Sequence, residues 1–170
     1  NVLSLYRYAC DHAMPIIIHN GQPFGTPASE FSDPMLWAPV FREFNEVKFV
    51  FTDMGRPWTD HTLMLLGEFE NVYMDLAGLA SQTWVGYQTL IKGYQAGVLN
   101  KFLMGSDFPA TGISATIEAI YSINQMVSNT PLPTIPRQRL REIVERDVLK
   151  LLSLDRYAAN ISQPSTAMEE

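Results

Sequence analysis

The segment that decides the fold reads Lys101-Phe102-Leu103-Met104-Gly105-Ser106-Asp107-Phe108-Pro109. Its short apolar run meets a glycine and then a carboxylate, which is typical of a fully buried strand. Gly105 permits a turn, and Pro109 prevents the strand from continuing. Asp107 therefore stands where a buried strand ends, the position at which parallel α/β folds carry their chemistry. On this segment alone, a second interpretation stays open, in which Asp107 only caps the following helix.

Three earlier segments repeat the same pattern. Apolar runs over residues 16–18, 48–52 and 72–74 each end in a polar, chemically capable side chain, and a glycine follows within a few residues. The four predicted strands therefore end in His19, Asp53, Asp75 and Asp107. Because the carboxyl ends of parallel strands lie at one edge of a sheet, we expect these four side chains on a common rim.

Apolar residues at helical spacing alternate with the strands. They predict helices over residues 2–13, 35–46, 59–69, 84–97, 113–127 and 140–152. Such alternation indicates a parallel sheet of (βα) units. A complete eight-stranded barrel needs about 250 residues, so four strands correspond to half of one. Either the rest of the protein or another chain supplies the missing half, or the strands form a small open sheet.

Domain limits and two special features also follow from the pattern. Residues 1–157 are predicted to form one partial barrel domain, and residues 158–170 a mobile tail without an apolar face. Residues 20–34 read as a long loop at a strand end, which is often functional. In the last predicted helix, Asp147 falls inside the apolar stripe, so its carboxylate needs a backbone or arginine partner.

Composition restricts the class of protein. The chain has 170 residues, of which 46% are hydrophobic and 18% charged, so it is expected to fold around a real core. A net charge of −6 argues against nucleic acid or an anionic membrane as the main partner. No apolar run is long enough to cross a bilayer. The single cysteine, Cys10, excludes an internal disulfide, and we expect a cytoplasmic protein.

The side chains at the strand ends point to metal chemistry. An imidazole and carboxylates on one rim suit a divalent ion such as zinc. The ion would lower the pKa of bound water to about 7, and Asp53 or Asp107 would move a proton. Catalytic zinc takes about three protein ligands, so this chain holds an incomplete set. Arg56 and Trp58, which follow Asp53, are predicted to contact a small-molecule substrate.

Four motifs in order carry a resemblance to a known family. They are Ile16-Ile17-Ile18-His19-Asn20-Gly21, Asp53-Met54-Gly55-Arg56-Pro57-Trp58, Asn71-Val72-Tyr73-Met74-Asp75-Leu76-Ala77-Gly78 and Met104-Gly105-Ser106-Asp107-Phe108-Pro109. Together they resemble the amidohydrolase superfamily, in the amidohydrolase-related branch that includes aminocarboxymuconate-semialdehyde decarboxylase. The resemblance runs from about Leu3 to Leu154 and covers the C-terminal half of that family's TIM-type (β/α)8 barrel.

The resemblance implies a metal-dependent hydrolase or a non-oxidative decarboxylase. It implies that His19 binds the metal, that Asp107 binds the metal or handles the proton, and that Asp75 is structural. Two features depart from the family pattern. The His-x-His pair of the family's first strand has no counterpart here, and Asp53 replaces the histidine that normally helps activate water.

Three functional hypotheses follow. The first is an enzyme with metal-activated water or a metal-polarised substrate at the rim. The second is a non-catalytic barrel module that has lost its metal chemistry, which the replacement by Asp53 favours. The third is a homo-oligomer, in which two chains associate through their open strand edges into one barrel.

Overall fold

A computed structural model describes residues 2–20 and 30–156. Most of the predicted loop 20–34 and the whole predicted tail 158–170 lie outside the described residues. The helices are α1 (Val2–Asp11), α2 (Ala38–Glu43), α3 (Thr59–Glu68), α4 (Thr83–Gln95), α5 (Ile113–Ser122), α6 (Arg137–Val144) and α7 (Val148–Leu151). The strands are β1 (Ile16–Ile18), β2 (Phe49–Phe51), β3 (Val72–Asp75) and β4 (Phe102–Leu103).

The four strands form one parallel sheet in the order β1-β2-β3-β4. Ile17 pairs with Val50, Val50 with Tyr73, and Asp75 with Leu103. Sequential order with helices between neighbouring strands is the arrangement that the alternating pattern predicts. Because all strands run in the same direction, every carboxyl end lies at one edge of the sheet.

Strands β2, β3 and β4 are largely buried on both faces, as expected for parallel strands. Alternate side chains of the strands pack in two clusters. The larger cluster joins the sheet to α1–α6 and includes Phe49, Phe51, Met74 and Phe102, none of which is exposed. The smaller cluster lies on the opposite face and consists of Val50, Tyr73, Leu103 and Leu152, with Val148, Leu151 and Leu154 packed against it.

The C-terminal segment after α6 crosses that second face. The Arg146 guanidinium donates to the Asn100 carbonyl at 2.6 Å, just before β4. At the other end of the segment, Arg156 donates to the Ala13 carbonyl at 3.0 Å, just before β1. The two ends of the segment are therefore attached next to the amino ends of β4 and β1. Between them, its leucines pack on the middle of the second face of the sheet. Ile17 of β1 stays 57% exposed.

The predicted single helix over residues 140–152 is wrong, because the structure contains two helices. α6 ends at Val144 and α7 begins at Val148. Asp147 lies between them, is exposed, and caps α7 by accepting a hydrogen bond from the Lys150 N–H at 3.0 Å. Its carboxylate therefore has the backbone partner that was expected, but it does not stand in a buried stripe.

A few side chains at helix surfaces are placed differently from what residue type alone suggests. Leu36 and Tyr94 lie within the predicted helices 35–46 and 84–97, but they are 58% and 37% exposed rather than packed inward. Thr59 does not cap α3; its hydroxyl donates to the Met54 carbonyl at 2.9 Å, and Trp58 holds the cap position.

Among the helices of residues 2–20 and 30–156, none has the length and apolar character needed to cross a membrane.

Candidate functional site

The four predicted side chains follow the four strands at the same edge of the sheet. His19 comes directly after β1, Asp53 comes two residues after β2, and Asp75 is the last residue of β3. Asp107 follows β4 after a short extended stretch. The negative charges of Asp53 and Asp107 both act to raise the pKa of the Asp75 carboxyl. The carboxylates therefore lie in one electrostatic neighbourhood.

The turn after β2 has an unusual backbone. Asp53, Met54 and Gly55 have φ angles of 57°, 59° and 66°. Left-handed conformations are unfavourable for residues that carry a Cβ, so this turn needs support from its surroundings. Gly55 is required here for a second reason: a Cβ on it would lie 2.3 Å from the Thr62 hydroxyl.

The carboxylate of Asp75 provides that support. Its Oδ1 accepts one hydrogen bond from the Asp53 N–H at 2.9 Å and another from the Ala77 N–H at 3.0 Å. Burial raises the pKa of the Asp75 carboxyl to about 6; the two backbone hydrogen bonds oppose this effect, and the carboxylates of Asp53 and Asp107 add to it. The segment after β4 approaches closely at this point, since a Cβ on Gly105 would lie 3.3 Å from Asp75 Cγ.

His19 is held by two oxygens from the end of β2. Its Nδ1 lies 3.0 Å from Asp53 Oδ2 and 2.9 Å from the Thr52 hydroxyl. The Thr52 hydroxyl in turn donates to Asp53 Oδ2 at 2.9 Å, so its hydrogen is not available to Nδ1. These partners assign the imidazole proton to Nδ1 and leave the lone pair on Nε2. An imidazole whose Nδ1–H is held by a carboxylate is the usual form of a metal-binding histidine.

Arg56 brings a positive charge to the same rim. Its Nε donates to the Asp53 carbonyl at 3.0 Å, and one terminal nitrogen lies 3.8 Å from Asp53 Oδ1. The guanidinium reaches towards the end of β3, where a Cβ on Gly78 would meet it at 3.1 Å. Because its side chain is 28% exposed, Arg56 can still donate to a ligand.

Trp58 lies in different surroundings. Its indole N–H donates to the Ser32 hydroxyl at 3.1 Å, and its ring stacks on that of His61 with 5.5 Å between centroids. His61 Nδ1 lies 2.9 Å from Asp33 Oδ1. These rings border a cleft of about 330 Å³ between α3 and α4. The structure thus brings together His19, Asp53 and Arg56, and places Trp58 on this separate cleft.

The residues present fit a metal ion in part. Within residues 2–20 and 30–156, no group of three or more His, Cys, Asp or Glu side chains is arranged to hold one. His19 Nε2 is one possible donor, and Asp107 is exposed after β4 at the same edge of the sheet. Beside His19, the buried Asn20 amide donates to the Gly55 carbonyl at 3.5 Å, and its oxygen has no hydrogen-bond partner among the residues that the structure describes. An unpaired buried oxygen beside a metal-capable imidazole suits a cation, but a full ligand set requires further residues.

Sequence reasoning did not identify Thr52 or the supporting contacts of Asp75. Thr52 orients both His19 and Asp53, and the only available signal was its place directly before Asp53. Asp75 was interpreted as structural, and its contacts do support a backbone turn. The turn brings Asp53 to His19 because of the way in which β2 and β3 pair. The residue pattern gives no information on that pairing.

Comparisons with known proteins agree with this arrangement. The sequence pattern of the family described as Amidohydrolase matches residues 2–141. No curated protein matches the chain. Among solved structures, an uncharacterised TIM-barrel protein from Bordetella bronchiseptica is 16% identical with a TM-score of 0.64, and the match covers 90% of this chain and 50% of that one.

Two further structures carry functional descriptions. A protein from Lactobacillus casei, assigned as a metal-dependent hydrolase, is 18% identical with a TM-score of 0.65, over 91% of this chain and 43% of its own. A dihydroxybenzoic acid decarboxylase from Polaromonas, with bound manganese and the inhibitor 2-nitroresorcinol, is 16% identical with a TM-score of 0.59, over 94% and 55%. This chain spans about half the length of the structures it resembles. The four strands are therefore half of a TIM-type barrel, as predicted.

Proposed function

Because the chain belongs to the amidohydrolase family, we propose that it is part of a metal-dependent hydrolase or non-oxidative decarboxylase that acts on a small molecule. The observation that carries this proposal is the 3.0 Å contact between His19 Nδ1 and Asp53 Oδ2, which presents Nε2 as a metal ligand. The remaining strands of the barrel, from the rest of the protein or from a second chain, would complete the ligand set.

Each rim residue has a role in this proposal. His19 Nε2 and Asp107 would hold a divalent ion, with zinc and manganese as the candidates. The bound ion would lower the pKa of a water molecule and polarise a substrate carbonyl or carboxylate. Asp53, in place of the family's histidine, keeps His19 oriented and offers a carboxylate that can accept a proton. Arg56 would bind an anionic group of the substrate.

Metal analysis of the complete protein tests the proposal. We expect close to one equivalent of a divalent metal per site, removed by chelators together with activity. The variants His19→Ala and Asp107→Ala should lose the metal while keeping the fold. Metal below about a tenth of an equivalent, with chelators having no effect, would contradict the proposal. That result would instead favour a non-catalytic barrel module, for which Asp53 in place of histidine is the supporting observation.

Substitution of Arg56 tests the proposed contact with the substrate. A dihydroxybenzoate serves as a probe because the Polaromonas neighbour is a decarboxylase of this class. In Arg56→Gln we expect the dissociation constant of the probe to rise about 10-fold or more, since a charge-assisted hydrogen bond contributes roughly 1.5–3 kcal/mol. Calorimetric titration of the metal-loaded protein measures this change.

Arg56→Lys is the matched control for that experiment. It keeps the positive charge but loses the Nε–H that holds the Asp53 carbonyl. We expect lysine to recover part of the affinity. Equal affinities of the original protein, the glutamine variant and the lysine variant would show that Arg56 does not contact the probe.

A further inference from the structure

We propose that Asp75 is a positioning residue, which sets the tautomer of His19 by holding the main chain of Asp53. The inference deepens the proposed function, since it explains how His19 Nε2 is kept available to a metal. It gives Asp75 a task beyond a structural one, although its carboxylate need not touch the metal or the substrate.

The first step is the contact between Asp75 and the turn after β2. One carboxylate oxygen, Oδ1, accepts the N–H groups of both Asp53 and Ala77. The turn contains two consecutive residues other than glycine with positive φ, a conformation that persists only when its surroundings impose it. The hydrogen bond from the Asp53 N–H acts on the first of these residues.

The second step leads from the turn to His19. With its main chain held, Asp53 directs Oδ2 to His19 Nδ1 at 3.0 Å, and Thr52 donates to the same oxygen. If the turn relaxed, Oδ2 would move away, and the Thr52 hydroxyl, 2.9 Å from Nδ1, would be free to donate its hydrogen to that nitrogen. The tautomer of a histidine is set by the partner of the opposite nitrogen, so Nε2 would then acquire the proton and lose its lone pair.

The third step concerns the fit of Asp75 in its site. The side chain lies against Gly105 of the segment after β4, where a Cβ would approach Asp75 Cγ to 3.3 Å and the Ala77 nitrogen to 3.4 Å. The side chain thus packs against the segment after β4, and its Oδ1 accepts the hydrogen bond from the Asp53 N–H. Asparagine retains an oxygen acceptor of the same reach, whereas leucine fills a similar volume without one.

The experiment compares Asp75→Leu and Asp75→Asn in the complete protein without metal. ¹⁵N chemical shifts of the imidazole nitrogens are recorded in mildly alkaline buffer, where histidine is neutral. His61 is an internal control, since its Nδ1 lies 2.9 Å from Asp33 Oδ1 and is independent of Asp75. We expect His19 to carry its proton on Nδ1 in the original protein and in Asp75→Asn. In Asp75→Leu it should carry the proton mainly on Nε2, while His61 is unchanged.

Titration with Mn²⁺ gives the second readout. Asp75→Leu should bind the ion about 10- to 100-fold more weakly, the usual effect of losing support behind a ligating histidine. Asp75→Asn should restore most of that affinity. Loss of the His61 signal would show that Asp75→Leu does not fold, and Asp75→Asn then decides: a proton on Nε2 of His19 overturns the proposal.

Two other results would also overturn it. One is a proton on Nε2 of His19 in the original protein. The other is an unchanged His19 tautomer in a folded Asp75→Leu variant. Neither depends on activity or on bound metal, so failure of the proposed metal function would be seen separately, in the metal analysis.

Discussion

Replacement of Gly93 by alanine is expected to lower the free energy of unfolding by about 3 kcal/mol. Gly93 lies within α4, on the side that packs against β4. A Cβ at this position would lie 2.3 Å from Phe102 Cζ and 3.0 Å from both Cε atoms of that ring. Phe102 is completely buried, so its ring has no room to retreat. The helix would have to move away from the sheet. Urea denaturation measures the loss.

Gly67→Ala is the matched control for Gly93→Ala. Gly67 lies in α3 and is exposed, and the only atom that an added Cβ would approach is Val98 Cγ1, at 3.9 Å. Alanine forms helix better than glycine, so we expect Gly67→Ala to raise stability by up to about 1 kcal/mol. The same substitution in two neighbouring helices should therefore have opposite signs. If Gly93→Ala proved as stable as Gly67→Ala, the close contact of α4 with β4 would be wrong.

The strands were the most predictable part of the fold. Runs such as residues 16–18 and 72–74 are apolar without interruption, and the side chains of parallel strands are buried on both faces, so the pattern is strong even when the strand is short. The glycine after each run indicated where the strand ends. The order β1-β2-β3-β4 then followed from the rule that successive (βα) units lie side by side.

The break in the last helix was not predictable from periodicity. Leu140 and Ile143 continue into Val148, Leu151 and Leu152 at helical spacing. In the structure, Leu140 and Ile143 pack in the cluster between sheet and helices, whereas Leu152 packs in the cluster on the opposite face. Residue spacing shows that a helix has an apolar face, but it does not show against which face of the sheet that helix packs. The turn between α6 and α7 is fixed by tertiary contacts such as that of Arg146 with Asn100.

The candidate site was predictable as a set of positions but not as a network. The expectation that His19, Asp53, Asp75 and Asp107 follow four parallel strands required only the strand assignments. The contact between Asp53 and His19 depends on left-handed backbone at Asp53, a conformation that aspartate adopts more often than most residues but that has no signal in the residue pattern. The neighbours of Asp53 therefore indicate a role for this residue that the sequence did not. Its carboxylate lies 3.0 Å from His19 Nδ1 and orients that imidazole.

The second large effect expected is on the pH dependence of stability, and it isolates Asp75. In the folded protein the pKa of this carboxyl is raised to about 6, chiefly by burial. An unfolded aspartate titrates near 3.9. Between about pH 4 and pH 6 the folded state therefore holds a proton that the unfolded state has lost, and stability falls as the pH rises. Two pKa units correspond to about 3 kcal/mol. Below this window the contribution is fully present, and above pH 6 it is lost.

Asp75→Asn removes this titration without removing the oxygen acceptor. The difference in unfolding free energy between the variant and the original protein should therefore shift in favour of the variant by about 2 kcal/mol between pH 4 and pH 7, less than the full amount because an unfolded aspartate is still partly protonated at pH 4. Urea titrations at intervals across this range, with chelator present, measure it. Carboxylates that do not interact with Asp75 affect both proteins equally and cancel in the difference. Gly67→Ala, which changes no titratable group, should give a difference that is constant with pH. A constant difference for Asp75→Asn as well would mean that the Asp75 carboxylate is ionised at an ordinary pH. In that case burial would not raise the pKa of Asp75. The acceptor of its two backbone hydrogen bonds would then be an ionised carboxylate over the whole pH range measured.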